Sequence, residues 1–213
     1  MPSKNTPAKK RTFTNEMRRA TIIEQAVATI AEVGFSNTTF ARIAERAGLS
    51  STRLISYHFA GKDELMNEVG RRVLDEFAAF VAPRVEAEPT MAGRLRAFLE
   101  ANVDFIGARR AYVLALAGIL DNVRGAGSIA ALASDIVESD LNALQNLLRD
   151  GQRAGEFRAF DTRVMAVAVL ALRNAVIDQL SAHPDLDLDP YRRELAQLVD
   201  IATGVQGGRA APR

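Results

Sequence analysis

The stretch "NTTFARIAERAGLSSTRLISYHF", residues 37–59, decides the fold of this 213-residue chain. Thr38 or Thr39 can cap a short helix, because a threonine hydroxyl accepts a hydrogen bond from a free backbone N–H at a helix start. Helical spacing predicts that one side of this helix is apolar and buried, and its residues are Phe40, Ile43, Ala44 and Ala47.

A tight turn and a second short helix follow directly. Gly48 ends the first helix, since glycine adopts the left-handed backbone that such a turn requires. Ser50 or Ser51 can then cap a second helix that runs to about Tyr57. Two short helices joined by a turn containing glycine form a helix-turn-helix, which we predict here.

The chain on both sides of this motif is also helical in pattern. From Thr14 the apolar residues recur every three or four positions until Gly34 and Phe35, a pair typical of a helix C-terminus. From Lys62 the helical pattern continues almost to the end. We predict an all-α fold of about nine helices, with an arm over 1–13, a helix-turn-helix domain over 14–61, a second helical domain over 62–204 and a loose tail over 205–213.

One predicted helix differs from the rest. Residues 164–177 are apolar on nearly every side, with interruptions at Arg173 and Asn174. A helix that is apolar all round must be buried all round. Two arrangements stay open: one face packs on the chain's own core and the other on a second subunit, or the helix is central to the core.

Composition limits the class of protein. Hydrophobic residues make up 48% and charged residues 25%, which is ordinary for a soluble globular protein. No run approaches the roughly 18 consecutive apolar residues that span a bilayer, and the basic N-terminus lacks the apolar segment of a secretory signal. The absence of cysteine excludes disulfides and thiolate sites and fits a cytoplasmic protein. We therefore expect a cytoplasmic location and no membrane partner.

Charge is distributed unevenly along the chain. Residues 1–62 carry ten Lys or Arg and four Glu, whereas the remainder carries 17 and 22. Such asymmetry is typical of a module that binds a polyanion joined to a neutral or acidic one. Four of the ten cations lie in the arm, which either adds sequence-independent attraction to DNA or is a plain disordered terminus.

Features of catalysis are missing from the sequence. It has no glycine-rich phosphate loop, and His58 and His183 are far apart in sequence. The aspartates at 185, 187 and 189 lack the glycine and terminal glutamate of a calcium loop. We therefore expect no enzyme, no metal site and no cofactor, and we interpret His58 as a residue that touches a partner.

Residues 21–69 resemble the DNA-binding segment of the tetracycline-repressor (TetR) family. The matching positions are Gly34-Phe35, Thr38-Thr39, Ile43-Ala44, Ala47-Gly48, Phe59, Lys62 and Leu65. They span about a quarter of the chain and are specific only in combination. Two departures stand out: Ser56 occupies the position where the family commonly has tyrosine, and the stretch from Gly48 to Phe59 is one residue longer than usual.

The resemblance implies a homodimeric transcriptional regulator, usually a repressor, that is released from a pseudo-palindromic operator by a small effector. Its second short helix would enter the major groove of double-stranded DNA. The C-terminal helices would form the dimer, here through 162–180 and 190–203, and the helical domain over 62–204 would also hold the ligand pocket. The alternative is a helical ligand-binding or interaction protein without specific DNA binding.

The predicted DNA contacts are hydroxyls, cations and an aromatic residue near the two short helices. Short polar side chains and a bidentate donor suit the major groove, while cations and hydroxyls suit phosphates. Arg53 is the candidate for the bases. Lys62, unfavourable at a helix start, predicts a nearby phosphate. Solvated side chains are the alternatives for Lys62 and Arg42. The full set is Thr38, Thr39, Arg42, Ser50, Ser51, Thr52, Arg53, Tyr57, His58 and Lys62.

Candidate effector-binding residues are polar positions on otherwise apolar helices, since a buried polar group needs a partner. They are Asn102, Tyr112, Asn174 and Asp178. Each has a structural or surface role as its alternative. The apolar surroundings predict a hydrophobic or amphipathic small molecule.

Overall fold

The chain is helical throughout the computed structural model, which describes residues 8–122, 128–183 and 185–204. The helices are α1 Ala8–Val33, α2 Phe40–Arg46, α3 Arg53–His58, α4 Lys62–Glu86, α5 Met91–Ala108, α6 Arg110–Asn122, α7 Ser128–Arg153, α8 Thr162–Ala182 and α9 Asp189–Thr203. Within these ranges the β-structure is one isolated bridge between Phe157 and Gly204. The predicted all-α class and the number of helices are confirmed for the described residues.

Helix α1 begins earlier than the sequence pattern predicts. The arm predicted over 1–13 lies outside the described residues up to position 7, and from Ala8 the chain is helical. Alanine, lysine and arginine residues follow Pro7, and all three residue types favour helix. The predicted tail over 205–213 lies outside the described residues.

Two glycines end helices in the left-handed conformation that the sequence analysis expected. Gly34, after α1, has φ 78°, and Gly48, after α2, has φ 63°. The N–H of Leu49 reaches back to the Ala44 carbonyl at 2.8 Å, a bond typical of a helix that ends on glycine. The turn between α2 and α3 therefore has the predicted geometry.

The described residues divide into two compact units. The first takes in residues up to Val73 together with Ala111–Leu132, and it is therefore larger than the helix-turn-helix domain predicted over 14–61. Its core joins side chains from α1, α2, α3, α4 and α6. The fully buried members include Ile22, Ala26, Ile43, Ile55, Phe59, Leu65, Met66, Val69 and Ile119.

The second unit takes in Leu74–Arg110 and the described residues from Ala133 onward. Its core is built by α5, α7, α8 and α9, and it includes Leu95, Leu99, Leu141, Leu148, Phe157, Ala166, Val169 and Val199. Phe157 lies directly against Gly151, where an added Cβ would come within 2.2 Å of the ring. A side chain at position 151 would displace Phe157 from this core.

Helix α8 buries one side only. Asp161 caps it by accepting hydrogen bonds from the N–H groups of Arg163 and Val164, both at 2.9 Å. The side chains of Val164 and Val167 are 66% and 51% exposed. Within the described residues the segment is therefore not a central core helix, because no element that the structure describes covers one of its apolar sides.

Among the described residues, α8 is the one helix that is long and apolar enough to cross a membrane. In its most apolar stretch of 18 residues, 28% is buried inside the protein. It contains Arg173, which pairs with Asp140 of α7 at 2.7 Å and whose side chain is 16% exposed. The ion pair and the partial burial are both typical of a helix that packs on one side and is exposed on the other.

Candidate nucleic-acid interface

The two threonines before α2 have different roles. Thr39 is the N-cap, and its hydroxyl accepts a hydrogen bond from the N–H of Arg42 at 3.3 Å. Thr38 is buried, and its hydroxyl donates to the Gly34 carbonyl at 2.8 Å. This burial removes Thr38 from the predicted phosphate contacts and leaves Thr39 as the exposed hydroxyl.

The start of α3 is settled by a serine. Ser51 Oγ accepts a hydrogen bond from the N–H of Arg53 at 3.1 Å, so Ser51 rather than Ser50 supports the first turn. Thr52 is the N-cap residue in backbone terms, with no hydrogen bond from its side chain to the helix. Ser51, Thr52 and Arg53 therefore lie together, exposed, at the N-terminus of α3.

The two sides of α3 differ in chemistry. Ile55 and Phe59 are fully buried, whereas the opposite side is exposed and polar. That exposed side consists of Thr52, Arg53, Ser56 and Tyr57. Tyr57 is 76% exposed, so most of its side chain faces solvent.

Ser56 also lies on this face, although it is not among the predicted DNA contacts. It appeared only as a departure from the family pattern. Its position one helical turn after Thr52 places both side chains on one face, and Ser56 Oγ lies 3.4 Å from the Thr52 carbonyl. Helical spacing counted from the correct N-cap would have found it.

His58 is the last residue of α3 and is half-buried. Its carbonyl accepts a hydrogen bond from Arg19 Nη1 at 2.5 Å, and its ring meets the Tyr57 ring edge to face at 5.1 Å. Burial lowers the pKa of the His58 imidazole, and the nearby charges of Arg19 and Arg18 lower it further. No group of acidic and histidine side chains in the described residues could hold a metal. The position suits a partner contact.

Lys62 already has partners within the chain. Its Nζ donates to the Phe35 carbonyl at 3.1 Å and lies 4.5 Å from the centre of the Phe35 ring. The N-terminal charge of α4 is also balanced by Asp63 and Glu64 in its first turn. Lys62 is therefore neither a solvated lysine nor an uncompensated one, and a phosphate could use only its remaining N–H donors.

The remaining cations of this region separate into paired and unpaired groups. Arg46 pairs with Glu32, and Arg19 pairs with Glu64 and Glu68. Arg42 is exposed, and its Nη1 donates to the Asn37 carbonyl at 3.1 Å. In the part of the chain that the structure describes, no carboxylate pairs with Arg18, Arg42 or Arg53. These exposed cations are available to a polyanion.

Residues 22–69 match the model of the tetR family of bacterial regulatory proteins. This stretch is a TetR-family DNA-binding segment. Among curated relatives, the HTH-type transcriptional regulator BetI of Paraburkholderia phymatum is 40% identical over 90 residues, which are 42% of this chain and 45% of BetI. BetI of Burkholderia thailandensis is 41% identical over 90 residues, 42% and 46% of the two chains. The match thus spans about half the length of these relatives. The names of these relatives, which are transcriptional regulators, agree with the prediction that this chain is not an enzyme.

Solved structures extend the likeness to most of the chain. A putative transcriptional regulator from Saccharomonospora viridis in complex with choline has a TM-score of 0.79 at 24% identity, over 90% of this chain and 100% of that one. AibR in complex with isovaleryl coenzyme A and operator DNA has a TM-score of 0.74 at 19% identity, over 85% and 97%. At these identities the likeness shows the fold: an N-terminal helix-turn-helix and a C-terminal helical domain.

The predicted effector-binding residues lie in different surroundings. Asn102 is buried in α5, where its side-chain amide donates to the Phe98 carbonyl at 2.7 Å. Tyr112 belongs to the first unit, and its hydroxyl lies 2.5 Å from Glu24 Oε2 of α1. Asn174 and Asp178 are exposed on α8. Tyr112 therefore belongs to the first unit, whereas the other three predicted residues belong to the second.

Proposed function

We propose that this chain is a TetR-family transcriptional repressor that binds a pseudo-palindromic operator as a homodimer and is released by a small apolar or amphipathic effector. The observation that carries the proposal is the exposed polar side of α3, with Thr52, Arg53, Ser56 and Tyr57 outward and Ile55 and Phe59 buried behind it. A short helix presenting such a face can enter the major groove.

In this proposal, side chains on the N-terminal half of α3 recognise the DNA bases. The Arg53 guanidinium can donate two parallel hydrogen bonds to O6 and N7 of a guanine, and the hydroxyls of Thr52 and Ser56 can donate or accept. Phosphate contacts fix the register of the helix. The candidates are Thr39, Arg42, Ser50, Ser51, Tyr57, His58 and Lys62.

The dimer would form through the exposed sides of α8 and α9. Exposed apolar side chains lie on both helices, namely Val164, Val167, Leu198 and Ile201. Small residues at 168, 171 and 175 share the exposed side of α8, so another helix could approach closely. A second copy of the chain would cover these side chains, and a two-fold axis would pair two α3 helices with two half-sites.

An effector would bind among the helices of the second unit. Support comes from solved neighbours that hold choline or isovaleryl coenzyme A. Of the predicted residues, the buried Asn102 suits a pocket wall, whereas Asn174 and Asp178 suit the dimer face. As a DNA-binding regulator the protein would act in the cytoplasm, without membrane or cofactor.

The test selects bound duplexes from random DNA and then compares variants on the selected operator. Because Lys62 also supports Phe35, Arg42 is the cleaner phosphate probe. Arg53→Ala should weaken specific binding by about 1–3 kcal/mol and relax one base position. Arg42→Ala should weaken binding to all sequences and reduce the salt slope by about one.

Arg149→Ala with Arg153→Ala provides a matched control, since it removes two cations from the second unit and should leave affinity unchanged. If no sequence is enriched, or if Arg53→Ala with Arg42→Ala binds the operator like the parent, specific DNA binding is refuted. The alternative, a helical ligand-binding or interaction protein, would then stand.

A further inference from the structure

We propose that Arg19 is a positioning residue that fixes α3 between α1 and α4, and so sets the sequence discrimination of the protein without touching DNA. The inference rests on the proposed function, because it assumes that α3 reads the operator. Arg19 lies in α1, 39 residues before the carbonyl that it binds.

Helix α3 cannot hold its own position. It has six residues, fewer than two turns, and isolated helices of this length are unstable in water. Ile55 and Phe59 anchor its inner side by burial. Burial alone does not satisfy the free carbonyls at its C-terminus, which need hydrogen-bond donors.

The Arg19 guanidinium supplies a donor at that end. Nη1 donates to the His58 carbonyl, the last of the helix, at 2.5 Å. The same group lies 4.3 Å from the centre of the Phe59 ring, over the side chain that anchors the helix. A positive charge at a helix C-terminus is also favoured by the helix dipole.

The opposite edge of the guanidinium faces α4. Nη2 lies 3.3 Å from Glu64 Oε1 and 3.4 Å from Glu68 Oε1. The other oxygen of Glu64 accepts the N–H of Ala60 at 2.7 Å, in the turn that joins α3 to α4. One side chain therefore connects three helices and the turn between two of them.

These contacts separate Arg19 from the cations that bind phosphate. Its charge is balanced by two carboxylates, and its donors point to protein acceptors. Neighbouring Arg18 is exposed and, in the described residues, pairs with no carboxylate. Arg18 is thus a matched control of the same type, helix and charge.

If α3 were held less firmly, its exposed cations would remain, but its orientation relative to the DNA bases would no longer be fixed. Sequence-independent attraction depends on the cations, whereas base discrimination depends on geometry. Replacing Arg19 should therefore reduce specific binding while leaving non-specific binding and its salt dependence unchanged.

The experiment compares Arg19→Met and Arg18→Met with the parent on the selected operator and on an unrelated duplex, at several salt concentrations. Methionine keeps the apolar cover on Phe59 and removes the donors. Arg19→Met should weaken operator binding about tenfold or more, with unrelated DNA and the salt slope unchanged. Arg18→Met should weaken both duplexes alike. Equal loss on both duplexes with a reduced salt slope for Arg19→Met would overturn the inference, as would no loss.

A second readout does not depend on DNA. Hydrogen exchange of the peptide covering residues 53–60 should accelerate in Arg19→Met and stay at the parent rate in Arg18→Met. Arg19→Lys, which retains the charge but not the planar fork, should restore part of the protection and part of the discrimination. Unchanged exchange in both Arg19 variants would overturn the inference, whereas a parent that selects no operator would overturn only the proposed function.

Discussion

At the scale of single residues, the environment of His58 decides its role. It ends α3, next to an exposed tyrosine and a buried phenylalanine, and its carbonyl is held by Arg19. Burial and two arginines lower the pKa of its imidazole below 6.5, so the free protein carries it neutral at neutral pH. A nearby phosphate would have the opposite effect, because it stabilises the imidazolium.

We predict that operator binding takes up a proton at His58. The imidazole pKa is lowered in the free protein and raised beside a phosphate, so affinity should increase as the pH falls through the region of 6.5. The measurement is the dissociation constant between about pH 5.5 and pH 8. His58→Gln should lose this part of the pH dependence. Parallel curves for the parent and His58→Gln would show that His58 faces no phosphate.

Local signals predicted most of the helix-turn-helix, while contacts distant in sequence could not be predicted. The cap at Thr39 and the turn at Gly48 follow from residue type and spacing within a few positions. The Arg19–His58 and Lys62–Phe35 contacts join residues 39 and 27 positions apart. No spacing rule brings such pairs together, because their proximity results from the packing of several helices.

At the scale of elements, the turn before α3 depends on the backbone of Gly48. Its φ is 63°, and a Cβ added there would meet no atom within 4 Å. Gly48→Ala should therefore destabilise the fold by about 1–2 kcal/mol through backbone strain alone. Gly48→Asn should cost much less, since asparagine tolerates this conformation. Urea unfolding measures both variants, and equal stability of the alanine and asparagine variants would contradict the strain argument.

At the scale of the whole molecule, the uneven charge and the apolar helix over 164–177 gave the most informative sequence signals. Arg18, Arg42 and Arg53, which pair with no carboxylate in the described residues, all lie in the first unit. An effector site could not be predicted in the same way. A polar residue on an apolar helix, such as Asn102, has the same pattern whether it binds a ligand or the carbonyl of Phe98 one turn earlier.

At the same scale, the exposed apolar side chains of α8 and α9 lead to a prediction of the oligomeric state. Ile201 is 74% exposed, and a two-fold interface would bury it twice. Burying one such side chain contributes about 1.5–3 kcal/mol, so Ile201→Asp should raise the dimer dissociation constant at least about 100-fold. Sedimentation over a range of concentrations measures this constant.

Val137→Asp is the matched control for this prediction. Val137 is 55% exposed on α7, outside the proposed interface, so its replacement should leave the parent dimer intact. In the proposed dimer one α3 reads each half-site, so the Ile201→Asp monomer should also bind the full operator no more tightly than a single half-site. A monomeric parent at micromolar concentration, or equal effects of the two aspartates, would exclude α8 and α9 as the dimer face.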